Sequence, residues 1–124
     1  MKQPSHIIRV LILFIFTGLV AACSPASPGE VAKKFMTHLS KAEFNEARQY
    51  ASEQTGQLIE MMGKMGAPMG AKMKKNENYS FILLNEKIEG DKATVEFRNK
   101  EGGQVQTMHL IEEKGKWKVH EEKK

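Results

Sequence analysis

Two hydrophobic periods divide this chain near Asn78. Ahead of that point apolar residues recur every three or four positions, the helical spacing, and behind it they alternate, the spacing of a strand with one buried face. Val31, Phe35 and Leu39 make one apolar helical face, with Lys33, Lys34 and His38 lying mostly off it. Ser27-Pro28-Gly29-Glu30 supplies the start: a capping hydroxyl, a proline where the first helical N–H is dispensable, and a glutamate placed to close a capping box. Ser40-Lys41-Ala42-Glu43 repeats that box and predicts a second helix burying Phe44, Ala47 and Ala51. After Ser52 a third amphipathic run contains Leu58-Ile59-Glu60-Met61-Met62. It is expected to end near Met65, because an interior glycine costs about 1 kcal/mol and a proline about 3, and Gly66, Pro68 and Gly70 follow. Residues 66–78 then read as a loop.

Beyond Asn78, a strand is predicted from Tyr79 through Leu84, continuing toward Ile88, with a turn at Glu89-Gly90-Asp91-Lys92. Ala93, Val95 and Phe97 share one face of the next strand, Asn99 to Gly103 turns the chain, Val105 to Glu112 forms a third strand, and Lys116 to His120 a fourth with Trp117 and Val119 inward. On the third strand both Val105/Ile111 and Met108/Leu110 are apolar, so its facing stays open. Strands joined by tight turns are antiparallel neighbours, and the upstream helices are the material that can cover their apolar face. The fold class is α+β: N-terminal helices packed on a curved four-stranded antiparallel meander. The core is expected at Val31, Phe35, Leu39, Phe44, Ala47, Phe81, Val95, Phe97, Leu110, Trp117 and Val119.

The first residues change the picture. Lys2, His6 and Arg9 precede an uncharged run from Val10 to Leu19, and Ala21-Ala22 follow it, the three-part layout of a secretory signal. The run is shorter than the roughly 20 apolar residues of a membrane span. Val20-Ala21-Ala22-Cys23 resembles the lipobox of bacterial lipoproteins. That resemblance implies cleavage before Cys23, diacylglyceryl attachment to its sulfur and acylation of the new amino terminus. The domains are then 1–22 signal peptide, 23–26 lipidated tether and 27–124 α+β domain. Acyl chains contribute about 0.8 kcal/mol per buried methylene, so the protein is expected to stay in the cell envelope, on the outer membrane facing the periplasm in a Gram-negative organism, where Ser24 in place of Asp favours that membrane. Cys23 is the one cysteine, which excludes an internal disulfide and a cysteine metal cluster.

Removing 22 of 124 residues leaves 102, enough for one domain. Lys2 and Arg9 leave with the signal, so 17 basic residues face 15 acidic ones and the net charge is +2 rather than +4. Lys72, Lys74 and Lys75, and the later set Lys114, Lys116, Lys118, Lys123 and Lys124, read as solvated faces, with anionic lipid headgroups as the functional alternative. A tethered envelope protein has no nucleic-acid partner in reach.

The order of capped helix, second helix at Ser-x-x-Glu, loop and four strands closing on Gly115-Lys116-Trp117-Lys118-Val119 resembles small exported members of the nuclear transport factor two-like superfamily, within it a lumazine-binding-like lipoprotein family of unknown function. The resemblance covers about residues 27–121. It implies a cone-like, cystatin/nuclear transport factor two-like domain with Trp117 packed on the first helix, and either a bound ligand or partner or, in some relatives, an isomerase or dehydratase activity.

Candidate chemistry is sparse. Asp91 is the only aspartate and sits in a turn, as turn propensity explains. His109 is the general-base candidate, with Tyr50 as the partner it would use, against the plainer reading of an exposed strand histidine. Met61, Met65, Met69 and Met73 step by four residues, with Met62 beside them. Clustered thioethers select Cu(I), but no His or Cys lies within the run, and flexible methionines equally form an adaptable apolar surface. The expectation is a non-enzymatic, membrane-anchored protein without cofactor or metal site. It binds a protein partner or small apolar ligand through Met61, Met62, Met65, Met69, Met73 and His109, with copper handling and a small cone-fold enzyme as alternatives.

Overall fold

Ser27 starts the first helix as its surroundings dictate. In the computed structural model, which describes residues 25–69, 76 and 78–122, α1 spans Pro28–Ser40 and the Ser27 hydroxyl accepts a hydrogen bond from the Glu30 N–H at 3.3 Å. Val31, Ala32 and Phe35 are buried, and Met36 and Leu39 pack half-buried against them. Signal, lipobox and Cys23 lie outside the described residues.

The expected second capping box is instead the end of α1. Ser40 is the last helical residue, and its hydroxyl donates backward to the Thr37 carbonyl at 2.7 Å. Glu43 N–H reaches the His38 carbonyl at 2.9 Å and Ala42 N–H the Leu39 carbonyl at 3.0 Å. With Ala42 at φ +57° these two bonds form a Schellman termination. The short helix α2 therefore covers only Phe44–Arg48, and its N-cap, Glu43, makes no side-chain cap bond. Ser40 lies inside α1, three residues ahead of Glu43, and so is not placed to cap the following helix. Ala47 is fully buried and Phe44 half-buried, while Ala51 is buried outside the helix expected to carry it.

α3 spans Glu53–Met69, four residues past its expected end. Ser52 caps it, its hydroxyl accepting from Thr55 N–H at 3.3 Å and its carbonyl from Gly56 N–H at 2.7 Å. Propensity is overridden by packing. Gly63 faces Phe44 of α2, where a β-carbon would stand at ordinary contact distance, 3.5 Å from the Phe44 Cβ, so α3 carries this glycine against a packed neighbour. Pro68 falls in the last turn of this helix.

The strands are β1 Ile82–Glu89, β2 Lys92–Arg98, β3 Gln106–Glu113 and β4 Lys116–Val119, in the order β1-β2-β3-β4 and antiparallel throughout. β1 begins at Ile82 rather than Tyr79. Side chains hold the chain before ladder pairing starts: Tyr79 donates to Asn99 Oδ1 at 2.7 Å, and Phe81 stacks on Phe97 with centroids 4.7 Å apart. The register shifts between Leu83 and Asn85, a bulge at Leu84. In the Gly90-Asp91 turn only Gly90 has positive φ, as in a type II′ hairpin, whereas both Lys114 (+53°) and Gly115 (+77°) do in the next, as in type I′.

Register settles the facing of β3. Met108 pairs with Val95, and Leu110 with both Ala93 and Val119. Met108 and Leu110 therefore enter the core and Val105 stays outside. α1 lies on the sheet over β1, β2 and β4, and α2 sits between α1 and α3. The free edge of β4 is covered by residues 50–52, with Ser52 N–H on the Val119 carbonyl and Val119 N–H on the Tyr50 carbonyl, both at 2.8 Å. The sheet edge is thus paired from within the chain at Val119. The opposite edge, β1, is joined to α1 by Glu86, whose carboxylate accepts from Gly29 N–H at 3.0 Å at the positive end of the helix.

Candidate binding surface

α3 turns Thr55, Gly56 and Ile59 inward and leaves an apolar strip outside. Leu58, Met61, Met62 and Met65 follow at steps of three, one and three, a spacing that places them on one side of a helix. They are 37, 56, 41 and 55 per cent exposed. The helix is fixed from below by Phe44 against Gly63 and by Arg48, which meets Glu60 at 3.0 Å while Lys64 meets the same carboxylate at 2.9 Å. The bond from Lys64, and next the charge of Arg48, lower the pKa of Glu60. Met69 belongs to the last turn of this helix, and Met73 lies outside the described residues. Leu58 joins the methionines although it is no part of their four-residue series.

His109 and Tyr50 are not brought together. His109 sits between the inward Met108 and Leu110, so it projects from the other side of β3, exposed and opposite Thr94. Tyr50 lies on the helix side, stacked on His38 at 5.8 Å with the Lys34 ammonium 5.9 Å from its ring centroid. The histidine that does meet a hydroxyl is His120, whose Nδ1 is 2.8 Å from Ser52 Oγ. Ser52 is only 1 per cent exposed and also caps α3, so this pair joins β4 to a helix and presents no nucleophile to solvent. Glu121 N–H on Thr55 Oγ1 at 2.9 Å completes the joint. No sequence period announces it, because Ser52 and His120 are 68 residues apart.

Burial pushes the Tyr79 hydroxyl up to about 12. Among the described residues no group of three or more His, Cys, Asp or Glu side chains is placed to hold a metal ion, and no helix is long and apolar enough to cross a membrane. Comparison with protein-family models, with curated proteins and with solved structures found no match.

Proposed function

We propose that this is a lipid-anchored envelope protein whose domain is a non-enzymatic binding module, with the Leu58–Met65 face of α3 as its contact surface for another protein. The observation that supports this is the set of four large apolar side chains left in solvent on one helix face while the rest of that helix is held against α2. Methionine on an exposed helix is a flexible, polarisable contact that adapts to the shape of a partner. The fold reading that goes with it is the cone-like arrangement of nuclear transport factor two-like domains, here used for binding. The anchor reading rests on Val20-Ala21-Ala22-Cys23.

Photo-crosslinking amino acids placed at Met61 and Met65, with an exposed control at Lys33, test the surface in the native envelope. One protein is expected to be captured at both methionine positions and not at Lys33, and the capture should vanish when Met62 becomes Gln. Equal capture at all three positions, or none, removes the reading. Intact mass of the protein purified from its membrane checks the anchor separately: acyl chains on a chain beginning at Cys23 are expected, and an unprocessed mass rejects it.

A further inference from the structure

The groove nearest the start of the described chain is basic and aromatic. Pro25 and Ala26 line it together with Lys114, Lys116, Trp117 and Lys118 of the β3–β4 hairpin, and among the described residues no Asp or Glu contributes to its lining. Lys114 and Lys116 are exposed and, among the described residues, take part in no ion pair. Glu113 stands opposite Lys116 and Glu112 opposite Trp117 in the ladder, and the Lys118 ammonium donates to the Gln49 carbonyl, so Lys114 at the hairpin tip carries the charge most open to a partner, with Lys116 beside it.

Position then selects the partner. Pro25 is two residues beyond Cys23, a reach of roughly 7 Å for extended chain at about 3.3–3.6 Å per residue. If Cys23 carries the lipid, the groove is held at the headgroup layer. Lysines next to a membrane are attracted to anionic headgroups by about 1 kcal/mol each, and a tryptophan beside them suits the interface, apolar in body and polar at its N–H.

We infer that the β3–β4 hairpin binds the anionic phospholipid headgroups of the membrane that carries the anchor, so that the domain is seated on the bilayer in one orientation. This contact rests on the lipid-anchor reading. It directs Lys114, Lys116 and Trp117 to the surface and leaves the protein joined to its membrane at two points.

Trp117 is the chain's one tryptophan and lies in the groove, so it reports the contact directly. The lipidated full-length protein is reconstituted into vesicles of phosphatidylcholine alone or with phosphatidylglycerol, each with brominated acyl chains, and Trp117 quenching is read at low and at molar salt. Quenching is expected to be stronger with phosphatidylglycerol and to fall at high salt, where the screening length shrinks to about 3 Å. The variant Lys114→Asn with Lys116→Gln should shift the seated-to-free ratio by about fivefold per lysine, roughly 25-fold for both. Asn favours the positive φ that Lys114 adopts, so the first change removes charge without weakening the turn. Circular dichroism of the variant is expected to match the parent. Quenching that ignores phosphatidylglycerol, or that is the same in the variant, overturns the contact. A purified chain without acyl mass overturns the anchor instead, and the two failures are read on different instruments.

Discussion

Replacing Ser52 with alanine removes one oxygen and should loosen two parts of the fold. The hydroxyl accepts from Thr55 N–H at the start of α3 and meets His120 Nδ1 at the end of β4. Loss of an N-cap costs typically about 1 kcal/mol. The second effect is the ring nitrogen left without its partner. His120 is only half-buried and can recover part of that bond from water, so the lower end of the usual penalty applies, about 1 kcal/mol. Together Ser52→Ala should destabilise by about 2 kcal/mol, which for a domain of roughly 100 residues lowers Tm by about 10 °C. Thermal and urea unfolding followed by far-ultraviolet circular dichroism measure this. A double-mutant cycle with His120→Ala separates the two parts, since the cap loss adds independently while the Ser52–His120 bond appears as a coupling of about 1 kcal/mol. If Ser52→Ala unfolds within about 0.5 kcal/mol of the parent, the hydroxyl neither caps α3 nor supports β4, and the account of how this edge is held is wrong.

Three further outcomes are expected. Ala42→Gly should raise stability by about 0.5–1 kcal/mol in urea unfolding, because Ala42 holds φ +57°, which glycine adopts without the strain of a β-carbon. Phe97→Ala, deleting a ring that is buried and stacked on Phe81, should cost about 3–5 kcal/mol, whereas Val105→Ser on the exposed side of the meander should stay within about 0.5 kcal/mol. Ultraviolet titration should show Tyr79 ionising at about 12; its folded pKa lies above the ordinary tyrosine value of 10.0, so its contribution to stability is complete below about 10 and is lost as pH rises from there through about 12. Tyr79→Phe should abolish that alkaline step, and a step that persists in the variant refutes its assignment to Tyr79.

Much of this architecture can be read from patterning, and the failures have definite physical causes. Ala93, Val95 and Phe97 alternate cleanly and are all buried, and Ser27-Pro28-Gly29-Glu30 starts a helix where it should. Ser40-Lys41-Ala42-Glu43 contains the residue types of a start yet forms a stop, because the same hydroxyl can bond forward or backward and the choice depends on Ala42 entering a conformation that its sequence does not advertise. β3 could not be oriented by period, having apolar residues on both faces, and only pairing with Val95 and Val119 decides it. At the candidate surface, the spacing of Met61, Met62 and Met65 is legible but their exposure is not. Helical spacing says that side chains share a face, while Gly63 meeting Phe44 determines which face is turned to α2.

The pairing of residues 50–52 with Val119 also sets an order of assembly. α1 and α2 lie within the first half of the chain and can form early, but the layer they belong to is closed only by the final strand, across a loop of nearly seventy residues. Contacts of such long separation are made late, since chain entropy must be surrendered before they contribute. A chain that has delivered its helices but not Val119 and His120 lacks the partners of the Ser52 N–H and of one side of its hydroxyl, so this joint waits for those two residues. Removing those residues should therefore act on the whole domain rather than on its tail.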